Sequence, residues 1–266
     1  MTVVNGQQFY DWEPIVNQSQ RYDEALNFWG RQWGSRNKVV AAVNGDYHNT
    51  LGMPMQGQIH SGWYAKRFVD SESTSGFVWT QDREAFIGGC VLHKAALQQF
   101  YLQNDLSRDK NIQKINVLPG DRPANSYVLY TPQFDNFTPM LDGAYEVLIE
   151  MTGPAQLIST PNRVVGLVRE TGQNGGMMMP FNHVVISATG DKIPALKTLA
   201  IGDSVGISQE VSPGCQTADP TFDWSDAYAG IGGDFRFLRN GALYPYSDKE
   251  GATFRQPRTA IAFNAS

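Results

Sequence analysis

Between Gly143 and Val211 the chain leaves little room for anything but β-structure. Tyr145–Met151, Gln156–Ser159, Arg163–Arg169, Val184–Ala188 and Ser204–Gln209 are short, rich in β-branched residues, and separated by Gly, Pro or Asn. β-branched and aromatic side chains fit a pleated surface, whereas Gly, Pro and Asn break it, so the pattern predicts successive short strands. Pro194–Leu199 is the exception and reads as one or two helical turns, starting near Asp191 and ending before Gly202. A block of this kind closes into a small β-barrel or packs as a β-sandwich.

Strand signals continue on both sides. Trp63–Val69, Gly76–Thr80 and Ala85–Val91 precede the block, Gln98–Asn104 fits strand or helix equally, and Ile112–Val117 and Tyr127–Thr131 flank a Pro/Gly/Asp turn with Asn116 and Arg122 among its polar positions. Residues 212–229 read as an irregular acidic loop. Ile231–Leu238 returns to strand, and Arg239–Asn240–Gly241 is a hairpin turn into Ala242–Tyr244. One helix stands out: Tyr22, Ala25, Leu26, Trp29 and Trp33 recur at helical spacing, and Gly34 sits where a C-terminal cap belongs. The expected class is α+β, a strand-rich mixed sheet with few helices. The organisation that follows is an N-terminal helical segment at 1–37 and one domain at 38–266, with the β-rich block inserted at about 121–211.

Composition narrows the function classes. Apolar residues make up 41% of the 266, enough for a real core, and a net charge of −5 with no Lys/Arg run argues against a nucleic-acid partner. No apolar stretch is long enough to span a bilayer, and Met1–Asp11 has no signal-peptide pattern. Cys90 and Cys215 lack metal-ligand spacing and read as two free thiols ahead of a disulfide. Many of the six Trp, 14 Phe and 11 Tyr belong to a core, with sugar-facing platforms open among them.

The polar residues gather at turns. Ala41–Val43 is an apolar run that stops at Asn44–Gly45, and Asp46, Tyr47 and His48 follow at once, the pattern of a buried strand ending in a tight turn that displays polar groups. Near the other end, Pro257–Arg258–Thr259–Ala260–Ile261 is strand-like and begins with a cation matched to phosphate or carboxylate. Gly230–Gly233 resembles a phosphate loop but leads into a strand without the Lys-Ser/Thr ending, so no nucleotide motif is supported. Asp46 and Asp234 could serve as the carboxyl pair of glycosyl transfer to water, one protonating the leaving oxygen and the other activating water or attacking carbon. His48 and His60, with Asp46 nearby, would ligate a metal only if a third ligand came from elsewhere.

Taken in order, Val43–Asn44–Gly45–Asp46–Tyr47, the Gly52-x-Pro54 loop, Ile231–Gly232–Gly233 with Leu238–Arg239–Asn240–Gly241, and Pro257–Arg258–Thr259–Ala260–Ile261 resemble the phosphodiester glycosidase family. This is the domain type of N-acetylglucosamine-1-phosphodiester α-N-acetylglucosaminidase. Ile115–Asn116 and Tyr127–Pro132 look like its bacterial branch. The resemblance runs from about Val39 to Ser266 and implies a secreted or cell-envelope hydrolase that cleaves the bond between a sugar and a phosphate in a surface or extracellular glycan. It implies Arg258 as phosphate clamp, Thr259 as a supporting donor, Asn44 and the Gly45 backbone shaping the sugar subsite, Gly233 and Asp234 beside it, Asp46 as acid or base, and His48 as a second proton carrier. No cofactor is implied, and a divalent metal is left open. Family members continue past the Arg-Thr segment into an Asp-Gly-Gly-Gly-Ser-type motif, so the chain is expected to be the C-terminally truncated form of such a domain. The rival reading is a non-catalytic carbohydrate-binding or envelope-associated module with the same fold. A third is a metal-dependent phosphodiesterase using Asp46, His48 and Asp234.

Overall fold

The computed structural model of the chain describes residues 2–4, 7–9, 56–60, 62–66, 75–80, 82, 84–89, 91–92, 98–102, 105, 107, 109–153, 164–180, 182–208, 212–213, 226–233, 238–243 and 260–261. The fold is α+β and strand-rich. In chain order the strands are β1 (Thr2–Val4), β2 (Gln7–Phe9), β3 (Gln58–His60), β4 (Trp63–Lys66), β5 (Ser75–Trp79), β6 (Ala85–Gly89), β7 (Val91–Leu92), β8 (Phe100–Leu102) and β9 (Ile112–Ile115). They continue with β10 (Tyr127–Tyr130), β11 (Tyr145–Met151), β12 (Val164–Gln173), β13 (His183–Ala188), β14 (Ser204–Ile207), β15 (Ser212–Pro213), β16 (Ala229–Gly233), β17 (Leu238–Arg239) and β18 (Ala242–Leu243). Among the described residues the helical elements are α1 (Ile193–Leu196) and tight 3₁₀ turns at Pro119–Asp121 and Gly190–Lys192. The helical turns expected from Asp191 onward are therefore present. The expected Tyr22–Gly34 helix, the Lys38–Val43 and Gln156–Ser159 strands and both cysteines lie outside the described residues.

The largest sheet has the order β8-β14-β12-β11-β13-β10-β9, with β9 and β10 parallel and the other pairs antiparallel. Its two ends meet. Gln99 and Asn111 form an antiparallel bridge in which Phe100 N donates to Lys110 O (3.1 Å) and Ile112 N donates to Gln98 O (2.7 Å). This closes the curled sheet into a barrel and removes the free edges that an open sheet would present.

Period-two alternation decides which side chains fill it. Phe100, Ile112, Tyr127, Leu129, Val147, Ile149, Val184, Ile186, Val205 and Ile207 belong to one buried cluster and line the interior. Phe100 and Tyr127 meet edge to face there, with ring centroids 4.7 Å apart. Leu196 from α1 is fully buried in the same cluster. On the outside of the barrel Val128, Tyr130, Leu148 and Val185 form a second cluster with Met177 and Met179. The segments 136–141 and 174–179 lie over it as a flap, joined by Thr138 N to Met177 O and Met179 N to Asn136 O.

The second sheet, β4-β3-β16-β5-β6, is antiparallel throughout. Ile59, Tyr64 and Val78 point from one of its faces into the same core that fills the barrel. Asn116 joins the two sheets, because its Nδ2 donates to Ala65 O (3.0 Å) from β4 and to Thr131 Oγ1 (2.8 Å), while its Oδ1 accepts from Thr131 N (2.8 Å). Its φ of 49° is left-handed, a conformation Asn tolerates better than other residues with a Cβ.

Two local expectations shift. Residues 212–229 are not irregular throughout, since Ser212–Pro213 pairs with Val91–Leu92 and Ala229 already opens β16. Gln98–Asn104 resolves to strand at Phe100–Leu102 because its partners are β14 and, through the closing bridge, β9. The Arg239–Asn240–Gly241 turn is present as expected. Asn240 and Gly241 both have positive φ (51° and 76°), which matches the right-handed twist of the β17–β18 hairpin.

Candidate functional site

Strand β16 runs through the middle of the second sheet, with β3 on one side and β5 on the other. Its Gly232 is required by what lies against it. Gly232 N donates to Gly57 O over 2.7 Å. A Cβ on Gly232 would collide with Gln56 Cβ and would stand 2.9 Å from Gly57 N and 3.1 Å from Gly57 O. The C-terminal end of the Gly52–Gly57 loop and the Ile231–Gly233 motif, far apart in sequence, therefore touch backbone to backbone with no room for a side chain.

Gly233 is the last residue of β16, half-buried and opposite Ser75. Asp234 is the next residue in the chain. Of the expected site residues the structure places Gly233; Asn44, Gly45, Asp46, His48, Asp234, Arg258 and Thr259 lie outside the described residues. Ala260 and Ile261, which follow the Arg-Thr pair, are exposed.

A different set of charged groups lies under the flap. Glu146, Ser187 and Val128 occupy one row across β11, β13 and β10, and Leu148, Val185 and Tyr130 the next. The Glu146 side chain is almost wholly buried, at 1% exposure. Thr138 Oγ1 donates to its Oε2 (2.6 Å) and accepts from Met177 N (2.9 Å), and Ser187 hydrogen-bonds to the same carboxylate. Arg122 reaches this row from the loop before β10. Its Nε donates to Ser126 Oγ (3.2 Å), Nη1 to Ser187 Oγ (2.8 Å), and Nη2 to the carbonyls of Ser126 (3.1 Å) and Ser187 (2.7 Å). Ser187 thus stands between guanidinium and carboxylate.

Burial pushes Glu146 up from the usual carboxylate range, against the hydrogen bonds of Thr138 and Ser187 and the charge of Arg122. Burial likewise pushes the Arg122 guanidinium down and raises the Tyr130 hydroxyl to about 12, and that hydroxyl donates to Val117 O (2.9 Å). Every nitrogen of Arg122 has a protein acceptor, and Glu146 is closed to solvent. The cluster has nothing to offer a substrate and serves to fasten the flap and the 117–126 loop to the barrel wall.

Two further patterns resolve as scaffold. Gly202–Asp203–Ser204–Val205–Gly206 has the spacing of a nucleophile elbow, which needs a strand, a sharp turn at Ser and then a helix. Here Ser204 opens β14 and pairs with Leu167, so it continues into a strand and has no elbow geometry. Asp105, Ser107 and Asp109 surround the ammonium of Lys110, with Nζ 3.0, 3.0 and 2.6 Å from their oxygens. The Ser107 amide, then its hydroxyl, then Lys110 hold Asp105 down at about 2. Among the described residues no group of three or more His, Cys, Asp or Glu side chains is arranged to hold a metal ion, and no helix is long and apolar enough to cross a membrane.

No protein-family model matches the chain, and no curated protein matches its sequence. A hypothetical protein of Synechocystis is similar in structure, at 13% identity and a TM-score of 0.46, over 80% of this chain and 35% of the other. A protein of Burkholderia pseudomallei, described provisionally as exported, is similar at 14% identity and a TM-score of 0.44, over 73% of this chain and 40% of the other. The chain thus spans 35% and 40% of the lengths of these two proteins. Likeness at this level bears on neither activity nor ligand.

Proposed function

We propose that the chain belongs to a hydrolase that cleaves the glycosidic bond between a sugar and a phosphate in a cell-surface or extracellular glycan, and that it works outside the cytoplasm. One observation carries this reading beyond the ordered motifs themselves. Gly57, just after the Gly52-x-Pro54 motif, and Gly232, within the Ile231–Gly232–Gly233 motif, are joined by a hydrogen bond from Gly232 N to Gly57 O of 2.7 Å.

In this proposal Arg258 clamps the phosphodiester anion and Thr259 donates to it, an electrostatic arrangement that stabilises charge as the bond breaks. Asn44 and the Gly45 backbone shape the sugar subsite, with Gly233 and Asp234 beside it. Water supplies the oxygen that joins the anomeric carbon, the C–O bond to phosphate breaks, and the phosphomonoester leaves. Asp46 handles the proton of that exchange, with His48 as a second carrier.

The test is the release of free sugar from α-N-acetylglucosamine 1-(methyl phosphate), measured on the chain and on a form extended through whatever follows Ser266 in its gene. Release that falls at least about a hundredfold in Arg258→Ala and Asp46→Asn supports the hydrolase. Sugar binding without release by either form points to a non-catalytic carbohydrate-binding module instead.

A further inference from the structure

Strand β5 alternates sharply. Val78 points into the shared core at 0% exposure, and Phe77 and Trp79 project from the opposite face of the sheet. Their ring centroids are 5.5 Å apart with planes tilted 44°. The same outward face carries Ile231 and Gly233 from β16, because Ala229, Ile231 and Gly233 pair with Trp79, Phe77 and Ser75 in turn. We propose that Trp79 and Phe77 form a stacking platform for a pyranose ring, on the sheet face that carries Gly233. The inference rests on the hydrolase reading above and deepens it, from a single sugar phosphate to a phosphate-linked oligosaccharide.

Three features select a sugar as the occupant. First, the cross-strand partners of Trp79 are Ala229 and Ala85, which present only methyl groups to the indole, while Phe77 stands beside it along the strand. At 38% exposure it is the exposed residue among the described side chains of this face, where Phe77, Ile87, Ile231 and Gln58 are half-buried. A single open ring suits the C–H face of a pyranose, whereas a protein partner needs an apolar patch of several hundred Å². Second, the turn that follows carries exposed Asp82 and Glu84, acceptors for sugar hydroxyls that repel phosphate. Third, Ser75 and Trp79 lie four residues apart on β5, so the Gly233 row and the Trp79 row are separated by roughly 13 Å. An oligosaccharide whose phosphate end sits at the Gly233 rim would reach Trp79 with a ring beyond the first.

The experiment compares α-N-acetylglucosamine 1-(methyl phosphate) with the same diester built on a chitotriose chain, using the wild type, Trp79→Ala and Trp79→Tyr. The expected result is that Trp79→Ala raises KM for the chitotriose diester by about tenfold, leaves kcat and the short diester unchanged, and that Trp79→Tyr keeps most of the affinity. Equal losses on both substrates, or none on either, overturn the platform. Triacetylchitotriose, which has no phosphate, is titrated in parallel by calorimetry. If the wild type releases no sugar from either diester, the hydrolase reading fails by itself. The platform then stands if triacetylchitotriose binds the wild type and Trp79→Tyr but not Trp79→Ala, and falls if the wild type does not bind it or if Trp79→Ala binds equally well.

Discussion

The amide of Gly232 donates to the carbonyl of Gly57 over 2.7 Å, and this bond joins two segments far apart in sequence at the β3–β16 pairing of the second sheet. It forms because β3 and β16 are neighbours in that sheet and because neither backbone is held off by a side chain.

Gly232→Ala is therefore expected to cost about 1–3 kcal/mol, since its Cβ would strike Gln56 and backbone atoms of Gly57 that cannot rotate away. Gly120→Ala, where a Cβ meets nothing within 4 Å, is the control and is expected to stay within about 0.5 kcal/mol of wild type. Urea unfolding of both variants checks the difference. Equal midpoints would show that the Gly57–Gly232 seam carries no steric demand.

Glu146 gives a pH signature with a definite sign. Burial raises its pKa in the fold, so the folded state holds this proton more tightly than the unfolded chain does. Its contribution to stability is fully present below the ordinary carboxylate range and is lost as pH rises through the raised value. Glu146→Gln has no such proton, so the stability of wild type relative to Glu146→Gln should fall as pH rises from about 4 toward neutral. Paired denaturation curves across that range test this; a difference that does not change with pH contradicts it.

Asn116 combines a left-handed backbone with hydrogen bonds to both sheets. Asn116→Ala leaves Thr131 N and Ala65 O without this partner and keeps the strained φ, and is expected to lose roughly 2–4 kcal/mol. Asn116→Gly relieves the backbone but not the lost bonds, so it should recover about 1 kcal/mol of that. Thermal unfolding of the two variants separates the contributions.

Carboxyl titration by NMR should place Asp105 at about 2. Lys110→Met should raise it only in part, because the Ser107 amide and hydroxyl, the larger causes, remain. Return of Asp105 to an ordinary carboxylate value in that variant would show that the ammonium alone had held it down.

Much of the fold was readable from alternation. Tyr145–Met151, Tyr127–Tyr130 and Ser204–Ile207 carry apolar residues at every second position facing the barrel interior, and the structure puts strands there. What escaped depends on non-local pairing. Strand β12 runs on past Arg169 through Glu170, Thr171, Gly172 and Gln173, polar residues that look like a turn until Tyr145–Leu148 pairs with them. Glu146 sits where alternation assigns a solvent-facing residue, and only the flap, with Thr138 and Met177, buries it. Barrel closure rests on Gln99 and Asn111, polar residues with no periodic signal of their own. The close approach of Gly232 to Gly57 left a mark in the sequence as glycine at both positions, whereas the Glu146–Arg122 cluster left none.

In the proposed hydrolysis the bond broken is the one between sugar carbon and phosphate oxygen. Hydrolysis of the phosphate-linked sugar in heavy-oxygen water, followed by mass spectrometry of both products, tests this most directly. The heavy oxygen is expected on the anomeric carbon of the released sugar, with none on the phosphomonoester. Heavy oxygen on phosphate, with the sugar unlabelled, would contradict it and make the protein a phosphodiesterase.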